Sequence, residues 1–322
     1  MFMGWMCSGH SHTTSAEPTS QSAVKELSKN CEALGRSLQG NCFRTRLIGN
    51  VSASLRLKTF PMRHLIILLA LTLVARAADA PLPTKRNGFV RHDFSLDGRP
   101  GLVVKPANAA PGKPWIWRTE FFGHEPQGDI ALLNAGWHVA FFKVSDMYGD
   151  PKSVALMDEF YDRAVSSFGL SRRAVLEGFS RGGLYAVNYA APHPDRTAAL
   201  YLDAPVLDIR SWPGGKGKGK GDARCWKQAL EIYGLTEDMA KEFKGNPLDK
   251  AEALAKAGIP IVAVVGDADD VVPYAENTKP FAEKYRAAGG TIEVIVKPGV
   301  NHHPHSLKDP KPFVDFLLKH VK

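Results

Sequence analysis

From residue 92 to the end of the chain, short apolar runs alternate with segments whose apolar residues recur every three or four positions. The runs HDFSL, LVVKP, PWIWRTEF, WHVAFFKV, RAVLEGFS, AALYLDAP, IPIVAVVGD and TIEVIVKPG predict strands. Between them, SVALMDEFYDRAVSSFG, RGGLYAVNYAA, KPFAEKYRAAGG and the terminal KPFVDFLLKHV predict amphipathic helices. Predominantly apolar runs of this kind, alternating with helices, predict a mostly parallel sheet covered on both faces. In an open sheet of that kind ligands bind beyond the carboxyl ends of the strands, so chemistry is expected just after each apolar run.

The first part of the chain has a different character. Residues 1–61 show no sustained apolar period, are rich in Ser, Thr, Asn and Gly, and hold Cys7, Cys31 and Cys42. At Met62 the pattern changes to Arg63 and His64, an apolar run from Leu65 to Ala75, and the small-x-small triplet Ala75-Arg76-Ala77. That is the grammar of a secretory signal peptide. The run is about half of the ~20 residues a membrane-spanning helix needs, which argues against a permanent anchor. The expected organisation is a non-native or disordered extension over 1–61 with translation starting at Met62, a signal peptide over 62–77, and one domain over 78–322. Its destination would be secreted or periplasmic.

Charge and cysteine content change meaning with that division. Of the 41 Lys and Arg and 33 Asp and Glu, 9 and 3 fall in residues 1–77, leaving 32 against 30 in the remaining 245 residues. A formal +2 gives no reason to expect a nucleic-acid partner. Only Cys225 follows residue 77, so no disulfide can form within that part, and its core is expected to hold it together.

Three glycines surround one serine in RAVLEGFSRGGLYAVNYAA. Gly178-Phe179-Ser180-Arg181-Gly182 follows a predicted strand and precedes a predicted helix, the setting of a nucleophile elbow. Such a turn leaves no room for side chains two residues either side of the serine. It also brings the Arg181 N–H, at a helix N-terminus, to where oxyanion charge develops. The plainer alternative is a glycine-rich packing turn. A nucleophilic serine needs a base and an orienting acid, which follow in the order Ser, Asp, His in this setting. The run AVVGDADDVVP ends a strand with Asp267, Asp269 and Asp270, and KPGVNHHPHSL follows the last strand with His302, His303 and His305.

On these motifs the chain resembles the α/β-hydrolase superfamily, in the branch of prolyl-oligopeptidase-like and dienelactone-hydrolase-like serine hydrolases, over nearly all of residues 88–322. Gly266 to Pro273 matches that branch's G-x-x-D-x-x-V-P pattern with Asp269, and Gly299-Val300-Asn301-His302 matches its G-x-x-H pattern. The resemblance implies a triad of Ser180, Asp269 and His302. It also implies an α/β fold with an eight-stranded, mostly parallel sheet and a small cap-like insertion near residues 206–258.

Alternatives stay open at several positions. Asp203, in YLDAP, also ends a strand, and some relatives place the acid there. Asp267 and Asp270 more often cap a turn, His303 serves as base if the loop is shifted by one, and His305 reads as a supporting residue. The three histidines also suggest a metal site, but no carboxylate or cysteine partner lies nearby in sequence, so none is expected. Where many relatives carry His-Gly after the third strand, this chain reads PWIWRTEFFGHEP, which leaves the N–H of Glu120 or Phe121 to complete the oxyanion hole. Arg118 and Glu120 are expected at the pocket mouth, with Arg118 a possible carboxylate clamp, or else in a buried ion pair. Trp212 and Trp226 flank GGKGKGKG and offer platforms for a sugar ring, or simple packing. The Gly-Lys repeat lacks the Ser or Thr of a phosphate loop and reads as a solvated loop.

The function expected is a secreted serine esterase acting through an acyl-enzyme, with no cofactor, on a small-molecule ester or an ester decoration on carbohydrate. A peptidase of prolyl-oligopeptidase type, a silent carbohydrate-binding protein on the same fold and an acyltransferase are the rivals.

Overall fold

A nine-stranded sheet in the order β1-β2-β3-β5-β4-β6-β7-β8-β9 runs through the computed structural model, which describes residues 83–321. The strands are β1 (Thr84–Arg86), β2 (Phe89–Leu96), β3 (Arg99–Lys105), β4 (Trp115–Arg118), β5 (His138–Phe142), β6 (Ala174–Phe179), β7 (Thr197–Asp203), β8 (Ile261–Gly266) and β9 (Ile292–Lys297). The pairs β1·β2, β2·β3 and β3·β5 are antiparallel, and every pairing from β5 through β4 to β9 is parallel. The carboxyl ends of β4 and of β6 to β9 therefore open on one edge of the sheet. All eight expected strands are present. The ninth, β1, is a three-residue edge strand reading Thr-Lys-Arg, with no apolar period to betray it.

The helices are α1 (Gln127–Asn134), α2 (Pro151–Phe168), α3 (Gly182–Ala190), α4 (Ala223–Tyr233), α5 (Glu237–Lys241), α6 (Ala251–Lys256), α7 (Thr278–Ala287) and α8 (Lys311–His320). Helix α2 shows how the sequence sets its limits. The Asp150 carboxylate accepts from Ser153 N at 2.8 Å, Pro151 opens the helix, and Gly169 closes it at φ 63°. Its buried Met157, Phe160, Tyr161 and Ala164 follow the i, i+3, i+4, i+7 pattern of one helical face. Phe160 meets Trp117 at 4.8 Å and Phe142 at 5.2 Å between ring centroids, so β4 and β5 cover that face. Full burial of one such side chain is worth about 1.5–3 kcal/mol. A core cluster of Val175, Phe179, Tyr201, Val262 and Val264 packs with Leu132 of α1 and Phe313 and Leu317 of α8, with Tyr201 stacked on Phe313 at 4.1 Å.

Asp79–Lys322 forms one compact unit. The extension expected over 1–61 and the signal peptide expected over 62–77 lie outside the described residues. No helix among the described residues is long and apolar enough to cross a membrane. Cys225, left single by the sequence reading, is disulfide-bonded. The insertion over 206–258 holds α4, α5 and α6. Its Gly-Lys repeat is solvated, with Lys216, Lys218 and Lys220 exposed, and it is also fastened: Lys220 N donates to Asp270 O at 3.0 Å, Lys218 N donates to the Glu276 carboxylate, and Lys220 Nζ pairs with Asp270.

Candidate active site

Strand β6 carries Val175 to Phe179 through the middle of the sheet and then turns within one residue. Ser180 sits at φ 49°, a left-handed conformation costing a non-glycine residue about 1–3 kcal/mol. Three backbone bonds hold it there: Ser180 N donates to Asp203 O at 2.8 Å, and Ser180 O accepts from Gly183 N at 3.0 Å and Val206 N at 2.8 Å. The glycines are required for two different reasons. A Cβ on Gly178 would stand 2.9 Å from Gly182 O and from the Gly183 backbone, across the turn itself. One on Gly182 would crowd Thr119 Oγ1 at 3.1 Å and Glu120 Cβ at 3.3 Å, on the segment that follows β4.

Asp269 and His302 come to this serine from the ends of β8 and β9. His302 Nε2 lies 3.0 Å from Ser180 Oγ, and His302 Nδ1 lies 2.7 Å from Asp269 Oδ2. The other Asp269 oxygen accepts from Val271 N at 2.9 Å and Val272 N at 2.8 Å, which locks the carboxylate plane. A carboxylate only accepts, so Nδ1 of His302 carries the hydrogen and Nε2 presents its lone pair to the serine hydroxyl. Ser180 has no exposed surface and His302 is buried. Asp267 and Asp270 do other work: Asp267 Oδ1 accepts from Gly299 N at 2.6 Å, tying the two loops together, and Asp270 pairs with Lys220.

Asp203, the rival acid, faces a different histidine. Its Oδ1 is 2.8 Å from His305 Nδ1, and its Oδ2 accepts from Ser306 N at 2.8 Å and Tyr201 Oη at 3.1 Å. Burial lowers the pKa of His305 despite that carboxylate. Partial burial, then the neighbouring imidazoles, push His303 down to about 4.

Helix α3 begins right after Arg181, so its N-terminus faces the serine. On the other side stands the β4–α1 segment, with Phe121 at φ 52°. Among the described residues no hydrogen bond is donated by the N–H of Glu120 or Phe121. The Arg181 guanidinium spans the gap between the two sides, 3.3 Å from Glu120 Oε2 and 2.8 Å from Asp146 Oδ1. Burial raises the Glu120 pKa, and Arg181 partly opposes that rise.

Three expected substrate-binding residues are placed elsewhere. Arg118 is 1 % exposed, so it cannot clamp a substrate. Its guanidinium pairs with Glu177 at 2.9 Å and Asp129 at 3.2 Å and donates to Phe121 O at 2.8 Å and to His124 O. It is a buried ion pair at the strand end, with partners other than Glu120, and it shapes the segment that carries Phe121. Glu120 is likewise buried rather than at a pocket mouth. Trp212 at 1 % and Trp226 at 6 % exposure are packing residues: Trp212 stacks near Tyr148, and Trp226 Nε1 donates to Glu237 at 2.6 Å.

A model of the prolyl oligopeptidase family's sequences matches residues 155–322, just over half of the chain and the stretch that holds Ser180, Asp269 and His302. The chain belongs to the prolyl oligopeptidase family of serine hydrolases. Its fold is that of the α/β-hydrolases. Dipeptidyl peptidase 4 of Porphyromonas gingivalis aligns with TM-score 0.54 at 17% identity over 78% of this chain and 37% of its own. Acylaminoacyl peptidase of Pyrococcus horikoshii aligns with TM-score 0.55 at 14% identity, over 78% and 43%. An S-formylglutathione hydrolase from Agrobacterium tumefaciens aligns with TM-score 0.55 at 15% identity, over 76% of this chain and 99% of its own. The chain thus spans well under half the length of either peptidase. Comparison with curated proteins finds no match.

Proposed function

We propose that this prolyl oligopeptidase family member cleaves carboxylic esters through an acyl-enzyme on Ser180, with His302 as base and Asp269 as its orienting acid. The observation that carries the reading is the continuous Ser180–His302–Asp269 hydrogen-bond chain at 3.0 and 2.7 Å. His302 takes the Ser180 proton through Nε2 as Oγ attacks the carbonyl carbon, and Asp269 stabilises the resulting imidazolium. The tetrahedral oxyanion is held by the Arg181 N–H together with that of Glu120 or Phe121. His302 then protonates the leaving alcohol, and a water activated by the same nitrogen hydrolyses the acyl-enzyme. No metal or organic cofactor enters these steps. The signal-like segment at 62–77 supports work outside the cytoplasm, on an extracellular or periplasmic ester.

Peptide hydrolysis is the second reading, supported by the family and by the two peptidases of like fold. The esterase of like fold, covered almost completely by this chain, favours the ester. With Trp212 and Trp226 buried, nothing in the site singles out carbohydrate, so the test spans classes: short-chain aryl esters, acetylated and methyl-esterified oligosaccharides, and a prolyl peptide. Turnover of one ester class, lost on the order of a million-fold in Ser180→Ala, is the expected result. Turnover of the peptide alone would shift the reading to a peptidase, and turnover undiminished in Ser180→Ala would end it.

A further inference from the structure

Four imidazoles crowd the mouth of this site. The rings of His302, His303 and His305 stand 4.7–5.0 Å apart between centroids, each pair nearly perpendicular, and His124 lies 5.9 Å from both His303 and His305. One nitrogen from each of His302, His303 and His305 lies within 4.8 Å of the others. Three nitrogens about 2.0–2.1 Å from a tetrahedral zinc sit roughly 3.3 Å from one another, so closure needs each pair to approach by about 1.5 Å at most. His303, the exposed member of the three, has the room to rotate.

Two of these histidines already carry the support that a metal ligand has. Metal-binding imidazoles characteristically give their other ring N–H to a carboxylate, which fixes the tautomer and aims the free lone pair. Nδ1 of His302 is engaged by Asp269 at 2.7 Å and Nδ1 of His305 by Asp203 at 2.8 Å, all four side chains buried. Both are thereby left to coordinate through Nε2. The carboxylates missing from the local sequence are supplied by residues 33 and 102 positions away. Lys297 Nζ donates to the Ser306 carbonyl at 3.1 Å and also to that of Pro304, which holds the histidine loop in place. Only one of the two pairs serves the proposed reaction; the Asp203–His305 pair has no part in it.

We propose that His302, His303 and His305 form an inhibitory site for a divalent transition metal of zinc's preferences, with water in the fourth position. Binding takes the Nε2 lone pair of His302 that would otherwise receive the Ser180 proton, so the metal-bound enzyme has no base. Neutral imidazoles bind without any change of oxidation state, and removal of the metal restores the free enzyme. The inhibitory consequence rests on the proposed role of His302, whereas the site itself rests on the arrangement of the three rings and on the carboxylates that orient two of them.

Equilibrium dialysis of zinc against the chelator-stripped full chain, with Ser180→Ala as the host, reads the site without reference to turnover. One zinc per chain is expected at this site, with affinity weakened at least tenfold by His303→Ala and about 10–100-fold by Asp203→Asn. In the enzyme with Ser180 intact, zinc should abolish ester turnover and EDTA restore it. Absence of bound zinc, or a zinc affinity indifferent to His303→Ala, overturns the inference. Turnover of the zinc-free enzyme tests the role of Ser180 separately, and zinc bound through His303 without loss of that turnover would overturn the inhibitory role.

Discussion

Replacing Asp269 by Asn inverts one hydrogen bond, and the structure dictates which way the new amide faces. Oδ1 of Asp269 accepts two backbone N–H groups, from Val271 and Val272, so in Asp269→Asn the amide oxygen must stay there. The NH2 group then occupies the position of Oδ2, 2.7 Å from His302 Nδ1, and donates to it. His302 responds by moving its hydrogen to Nε2, which points at Ser180 Oγ and has no lone pair left to take the proton. A wrong tautomer of this kind lowers kcat by about 10⁴, or about 5 kcal/mol of barrier. Asp203→Asn changes the partner of His305 instead, and the loss should stay below about tenfold. Both variants, folded by circular dichroism, would be compared on the best ester of the panel for kcat and KM. A loss confined to Asp203→Asn, or a loss under tenfold in Asp269→Asn, would refute the assignment of the acid.

Other parts of the structure give outcomes as definite. Arg118→Met leaves Glu177 and Asp129 buried without their cation and should cost about 3–5 kcal/mol of unfolding free energy in urea, with part recovered by adding Glu177→Gln; a loss under 1 kcal/mol contradicts this. Gly266→Ala would drive a Cβ against Val300 O and to 2.7 Å from Asn301 O, prising the Asp269 turn from the His302 loop; stability should fall by about 1–3 kcal/mol and kcat should drop more than KM changes. Burial holds the His138 imidazole down at about 4, against an ordinary 6.5, so the unfolded chain binds a proton that the folded chain refuses between those values. Stability from this group is therefore full above pH 6.5 and is lost as pH falls toward 4, about 2 kcal/mol of it by pH 5. Urea unfolding at pH 7 and pH 5 should show that extra drop in the unmodified protein relative to His138→Gln, and equal drops would contradict it.

What could be read in advance was whatever sits in a local pattern. Each long apolar run is a strand because a strand buried on both faces favours apolar residues at every position, as in Ile261–Gly266. The meeting of Ser180, Asp269 and His302 was legible for the same reason: in a parallel sheet, residues that follow successive strands share one edge. What escaped depends on partners far along the chain. Arg118 at the end of β4 looks like a pocket residue until Glu177, 59 positions on, is found beside it. Trp212 and Trp226 carry no mark that separates a platform from a packing residue. The Asp203–His305 pair joins a residue that the sequence offered as an alternative acid to one that it read only as supporting. Helix α1 escaped because QGDIALLN is short and opens after Pro126 without a side-chain cap.

The central claim is that Ser180 is a nucleophile activated by His302, and covalent trapping tests it most directly. The full chain would be treated with a fluorophosphonate and analysed by intact mass and peptide mapping, alongside Ser180→Ala and His302→Ala. One adduct per chain on Ser180, absent from Ser180→Ala and strongly slowed in His302→Ala, is the result this account predicts. A folded protein that forms no adduct, or forms it equally fast without His302, would contradict it.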